Sequence, residues 1–284
     1  MSTVGLVLRR TARDTQVEPY FHRIVAGLED VLLPEGIRVL TRTVDDAEEE
    51  ADGYRRWAQR RSVVGVVLTN LSPDDSRPEA LRSLGLPAVI LGEPARGTGA
   101  AVIRAEGHGA MVDAVRHCVG LGHRRIGHVS GPRALQHTQS RARAFAGETA
   151  AAGVVGAAVE ADYSADGGVE AALALLRRTD PPTAIVFDND LMAVAAAAAL
   201  PASGVRVPED VSIIAWDDSV LCRLSEPPLS AMSHDVHEVG VLAGTALLAL
   251  LRGGAPMDVV APAPVFVARA STSSVRASAP SSVL

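Results

Sequence analysis

Short uninterrupted apolar runs alternate along this chain with longer stretches whose apolar residues recur at helical spacing. Residues 4–8 form the first run, and residues 19–33 place Phe21, Ile24, Val25, Leu28 and Val31 on one helical face. Strand-like segments follow at 37–40, 63–69 and 88–91, separated by a helix capped at Asp45/Asp46 and ending near 61 and by a short one over 79–84. A helix over 107–121 closes at Gly122. The pattern then restarts, with strands at 125–130, 184–188, 211–216 and 265–268 and helices at 139–152, 169–178, 190–200 and 236–251. Continuous rather than alternating apolar runs belong to strands buried on both faces, which predicts parallel sheets covered by helices. The restart predicts an α/β chain of two similar lobes. Residues 273–284, rich in Ser, Ala and Pro without periodicity, read as a disordered tail.

Composition narrows the function classes. A chain of 284 residues with 48% apolar content can bury one large core or two smaller ones. Its formal charge of −6 gives no electrostatic footprint for nucleic acid within this chain. All 27 basic residues are arginine, which removes Schiff-base and P-loop lysines. Cys118 and Cys222 stand far apart in apolar contexts and read as reduced, buried thiols. No apolar run reaches the ~18 residues of a membrane span, and no secretory pattern opens the chain, so a cytoplasmic protein without membrane contact is expected. His234 and His237 lack further metal ligands, and neither a nucleophile elbow nor a supported Cys–His pair occurs. No metal, no cofactor and no enzymatic activity are expected.

The most informative segment is Val207-Pro208-Glu209-Asp210-Val211-Ser212-Ile213-Ile214-Ala215-Trp216-Asp217-Asp218, followed by Pro227-Pro228-Leu229-Ser230. It reads as a turn, a buried strand and an acidic pair at the strand's carboxyl end. In open parallel sheets that end faces the ligand crevice. A carboxylate there requires hydrogen-bond donors, from an arginine, backbone amides or a ligand hydroxyl.

Further motifs stand beside it: Pro19-Tyr20-Phe21, Leu121-Gly122-His123-Arg124-Arg125-Ile126-Gly127, Ser130-Gly131-Pro132, Arg141 with Phe145, and Asn189-Asp190-Leu191-Met192-Ala193. In this order, over roughly residues 3–272, they resemble the effector-binding core of the LacI/GalR family of transcriptional regulators. The resemblance implies the type I periplasmic-binding-protein-like fold, two Rossmann-like lobes joined by three crossovers. The lobes are expected at 3–122 plus 235–259 and at 123–234 plus 260–272. Regulators of that family carry a helix-turn-helix headpiece before the core. Here the first core strand begins at Thr3, so operator DNA is expected to be contacted only through a headpiece absent from this chain, through truncation or in a natural headless sensor.

The resemblance also implies a site. Asp217 matches an aspartate that accepts from effector hydroxyls, whereas Asp218 reads as a cap. Arg141 matches an arginine whose planar head suits bidentate contact. Asn189 matches a crevice amide, and Tyr20, Phe21 and Tyr163 match aromatic walls that stack on sugar faces. Helical spacing puts Phe21 partly in the core, and strand alternation turns Trp216 away from Asp217 into the core. Glu106 and Asp190 are further candidates, Asp190 equally as a helix cap. Where the family usually has Val-x-x-Asp-Asn, this chain has Val102-Ile103-Arg104-Ala105-Glu106. Ala105 removes an aspartate that often grips a sugar hydroxyl, which opens the site to a substituted ligand. The expected function is sensing of a small polar effector, a sugar or derivative before a nucleoside, by a homodimer that couples binding allosterically to DNA. The alternative is a stand-alone solute-binding protein of the same fold.

Overall fold

A computed structural model of the protein describes residues 2–10, 18–94 and 98–275. The first half of the chain runs β1 (Ser2–Arg9), α1 (Pro19–Leu32), β2 (Ile37–Val44), α2 (Ala47–Arg60), β3 (Gly65–Leu68), α3 (Arg77–Ser83), β4 (Ala88–Leu91), β5 (Ala101–Arg104) and α4 (Gly107–Gly120). The pattern repeats through β6 (Arg125–Ser130), α5 (Gln136–Ala151), β7 (Val155–Glu160), α6 (Ala165–Leu176), β8 (Ala184–Phe187) and α7 (Asp190–Ala199). It ends with β9 (Ser212–Trp216), α8 (Val220–Leu224), β10 (Ser230–Ser233), α9 (Val236–Leu251), β11 (Asp258–Val260) and β12 (Val265–Val267).

The strands form two six-stranded sheets, ordered β11-β5-β4-β3-β1-β2 and β12-β10-β9-β8-β6-β7. Their pairings are parallel except β10 with β12, which is antiparallel. The expected class of α/β fold, with two parallel-sheet lobes, is therefore present. The central strands β3, β4, β8 and β9 are buried along their whole length, as their continuous apolar runs require.

Helix packing corrects one expected boundary. The face of α4 built from Met111, Val115 and Cys118 packs on Ile126, Phe145, Trp216 and Met232 of the second lobe. The helix continues directly from a strand of the first sheet but covers the second, so a first-lobe segment reaching 122 extends too far. Helix α9 does the reverse. It leaves β10 of the second sheet and buries Val239, Ala243 and Leu247 in the first-lobe core with Leu28 and Val67. Its crossing with α1 is close because Gly27 and Gly240 meet there: a Cβ on Gly240 would lie 2.3 Å from the Ile24 carbonyl oxygen.

The predicted tail also begins too early. Ser273 N–H donates to Ser212 Oγ at 3.1 Å and Val275 N–H to the Leu121 carbonyl at 3.0 Å. The remainder, 276–284, lies outside the described residues. Among the described residues no helix is long and apolar enough to cross a membrane.

Candidate functional site

The carboxyl ends of both sheets face one another across a cleft, and the cavity there is lined from both lobes. From the first lobe come the start of α1, the loop after β3, and Ala105 and Glu106 after β5. From the second come the start of α5 and the residues that follow β8, β9 and β10. Hydrogen bonds bridge the cleft: Gln136 N–H donates to the Leu71 carbonyl at 2.8 Å, and Asn189 Nδ2 donates to Glu18 Oε2 at 3.1 Å.

Tyr20, Phe21, Arg141, Tyr163, Asn189, Asp217 and Glu106 all line this cavity. Asp217 follows β9 in a left-handed conformation, φ 76°, with Asp218 also left-handed at φ 48°. Such backbone is uncommon outside glycine and is tolerated by Asp better than by most residues. It turns the Asp217 carboxylate to accept from His234 Nε2 at 2.9 Å. The His234 ring in turn stacks on Tyr20, 6.2 Å between centroids and 21° between planes. Asp218 does not cap the following helix; Ser219 does, and Asp218 accepts from Arg269 Nη2 at 2.9 Å.

Arg141 projects from α5 with its guanidinium carbon 3.9 Å from the centroid of the Trp216 ring. Its Nη1 donates to the Asp188 carbonyl at 2.9 Å, while its buried Nε has no acceptor among the described residues. Trp216 is in the core, 1% exposed, as alternation predicts. It nonetheless borders the cavity as well, because Arg141 folds back across it.

Tyr163 sits in left-handed backbone, φ 67°, and presents its ring against Gly131. A Cβ on Gly131 would fall 2.0 Å from that ring, so the Ser130-Gly131-Pro132 motif is the space the aromatic wall occupies. The Tyr163 hydroxyl bonds His137 Nε2 at 2.8 Å and Thr138 Oγ1 at 3.1 Å. Burial, reinforced by Arg141, pushes the His137 imidazolium down to about 4, so the ring is neutral at physiological pH.

Two expectations change at the start of α7. The N-cap is Asn189, whose Oδ1 accepts from Met192 N–H at 2.9 Å, and its Nδ2 also donates to the Tyr163 carbonyl at 3.0 Å. Its amide is thus largely committed to holding the α7 start against the Tyr163 loop. Asp190, one residue on, does not line the cavity; it is buried and accepts from Ser219 N–H at 3.0 Å. Glu106 combines both kinds of role, since it lines the cavity and caps α4 by accepting from Gly109 N–H at 2.8 Å.

Sequence reasoning misses Asp188 and His137, and weighs His234 only as a metal ligand. Asp188 carried a usable signal, a carboxylate ending an apolar run just as Asp217 does. His137 lies four residues before Arg141 on the same helical face. Nothing in the sequence places His234 in the cleft, because β10 is too short and too poor in large apolar residues to be recognised. Asp188 is 1% exposed and accepts from His128 Nε2 and from Gly131 N–H, each at 3.0 Å. Burial raises its carboxyl, but His128, Arg141 and the Gly131 amide outweigh that and hold it down at about 2.

The described residues hold no cluster of His, Cys, Asp and Glu able to bind a metal ion. The site is an aromatic-walled, largely apolar cleft with a few convergent polar and charged groups.

Residues 115–272 match the periplasmic binding protein-like domain family. The HTH-type transcriptional regulator CelR of Thermobifida fusca is 30% identical over 84% of this chain and 71% of its own length. MalR of Streptomyces coelicolor, also an HTH-type transcriptional regulator, is 30% identical over 90% of this chain and 78% of its own. Among solved structures, a LacI family regulator from Bifidobacterium animalis superposes with a TM-score of 0.85 at 32% identity, covering 96% of this chain and 98% of that one. A CelR–cellobiose complex superposes with a TM-score of 0.84 at 28% identity, covering 95% and 84%. The chain belongs to the LacI family of transcriptional regulators, of which it carries the periplasmic-binding-protein-like core.

Proposed function

We propose that this core senses a small hydroxyl-rich effector, a sugar or sugar derivative, held between its lobes. The observation that carries the reading is the cleft itself: Asp217 as acceptor, Arg141 as donor and the rings of Tyr20 and Tyr163 surround one cavity. The cellobiose bound in the CelR complex supports the ligand class. Because the cavity is lined from both lobes, a ligand favours the lobe arrangement that closes on it. A differential affinity of about 1–3 kcal/mol between two arrangements changes a coupled DNA affinity about 5–150-fold. In this reading the protein acts as a homodimer, and a helix-turn-helix segment outside this chain contacts the operator.

A thermal-shift panel of mono- and disaccharides, polyols and nucleosides tests the proposal, since a ligand selective for the native state raises its apparent stability. The stabilising compound is then titrated into Asp217→Gly, which suits the left-handed backbone and removes the side chain with its carboxylate. Loss of the calorimetric signal is expected. Undiminished affinity would remove Asp217 from the site, and a panel dominated by nucleosides would overturn the sugar assignment.

A further inference from the structure

The cavity's charge balance rests on Asp188. Among the described lining residues the carboxylates are Glu18, Glu93, Glu106, Asp188 and Asp217, whereas the guanidinium is that of Arg141 alone. His137 is neutral and His234 is bonded to Asp217. Arg141 is itself engaged: Nη1 bonds the Asp188 carbonyl at 2.9 Å and lies 3.6 Å from Asp188 Oδ1. The Asp188 carboxylate is fixed from behind by His128 Nε2 and Gly131 N–H, with both His128 and Asp188 side chains at 0% exposure. A carboxylate so held cannot swing away when a ligand arrives.

We infer that Asp188 is a specificity-determining residue: its fixed carboxylate cancels the Arg141 charge, so that the cleft accepts neutral or cationic ligands and rejects phosphorylated or carboxylated ones. This rests on the cleft being the effector site. Arg141 then acts as a directional donor rather than a free cation. Its stacking on Trp216 holds the fork in place, and its buried Nε, next to Gly107, has no acceptor among the described residues. An anion would meet a cancelled arginine with the carboxylates of Glu93, Glu106 and Asp217 around it, and low local dielectric strengthens that repulsion.

The test uses inorganic phosphate as the probe, so it does not depend on knowing the effector. Thermal unfolding is followed at constant ionic strength while phosphate replaces chloride. In the parent protein, no saturable stabilisation that depends on Arg141 is expected. Asp188→Asn keeps the shape and an acceptor but removes the charge, and is expected to gain at least a tenfold increase in phosphate affinity that disappears when Arg141→Gln is added. A double variant, His128→Leu with Asp188→Ala, removes the buried pair together, leaves only the Gly131 N–H without its acceptor and is expected to behave alike. A purely structural pair would change stability in these variants without creating an Arg141-dependent phosphate response. A parent that already binds phosphate through Arg141, or variants that gain nothing, would overturn the inference. Glucose with glucose 6-phosphate and glucuronate, compared on the parent, gives a reading independent of any variant. Stabilisation by either anion overturns the inference, and stabilisation by glucose alone supports it. A silent sugar panel counts against the effector reading, while the phosphate experiment still decides the role of Asp188.

Discussion

The guanidinium of Arg141 lies flat enough on Trp216 to bring its central carbon 3.9 Å from the ring centroid, at the meeting of core and cavity. The ring is 1% exposed and packs in one apolar cluster with Met111, Val115, Ile126 and Phe145, so it orients the arginine and holds α4 on the second sheet at once. Trp216→Leu is expected to destabilise the fold by about 3 kcal/mol, from lost burial and the cavity left behind. Arg141→Lys keeps the charge but not the planar fork, and a larger effect on ligand affinity than on stability is expected. Urea unfolding midpoints and calorimetry with the identified ligand separate the two effects. Equal losses in both would mean that the arginine serves only packing.

Gly131 and Tyr163 form the second such relationship. Adding a methyl group at Gly131 drives it into the phenol ring, the nearest atom being 2.0 Å away. Tyr163 cannot retreat freely, because His137 and Thr138 hold its hydroxyl. Gly131→Ala is therefore expected to cost roughly 1–3 kcal/mol and to weaken ligand binding by displacing the wall. Adding Tyr163→Ala should restore much of the stability without restoring binding. A double-mutant cycle showing additive effects would disprove the contact.

Much of this site was legible because parallel sheets present their carboxyl ends to the cleft. A polar residue ending an apolar run announces itself, and Asp217 is legible that way, whereas Asn189 is legible only through the family resemblance. Roles were harder to read than positions. Asn189 and Asp190 are both good caps, and which one caps depends on a single residue of backbone register. The helix at 107–120 gives no local sign of the sheet it covers, since its apolar face fits either. The edge strands Val155–Glu160 and Asp258–Val260 are mostly exposed and lack the uninterrupted apolar run that marks the central ones.

The α1–α9 crossing predicts a contrast between two glycines. A Cβ on Gly240 would approach the Ile24 carbonyl oxygen to 2.3 Å, backbone that cannot move without separating the helices. Gly240→Ala is expected to destabilise the first lobe by about 3 kcal/mol. Gly53, inside α2, has no heavy atom within 4 Å of the same added carbon. Gly53→Ala should stabilise by about 0.5–1 kcal/mol, from the reduced freedom of the unfolded chain and better helix propensity. Chemical unfolding of both variants checks the pair, and a stabilising Gly240→Ala would contradict the close crossing.

Asp190 links the site to pH. Burial, reinforced by the negative charge of Asp217, pushes its carboxyl up to about 6 from an ordinary 3.8. A carboxyl raised in the folded state favours folding while it is protonated. Its contribution is therefore fully present below about 3.8, fades as pH rises, and is lost above about 6. At neutral pH the charged Asp190 is a liability of roughly 1–3 kcal/mol. Asp190→Asn keeps an oxygen for Ser219 N–H and removes that charge. It should exceed the parent in stability by roughly this amount at pH 7, with the difference shrinking toward pH 4. Asp188, held down at about 2, opposes this trend only in strong acid, where the fold loses that carboxylate's stabilisation as pH falls from the ordinary carboxylate range toward 2. Urea unfolding between pH 2 and pH 7.5 resolves the two regimes, and a stability difference independent of pH would show that Asp190 titrates like an exposed carboxylate.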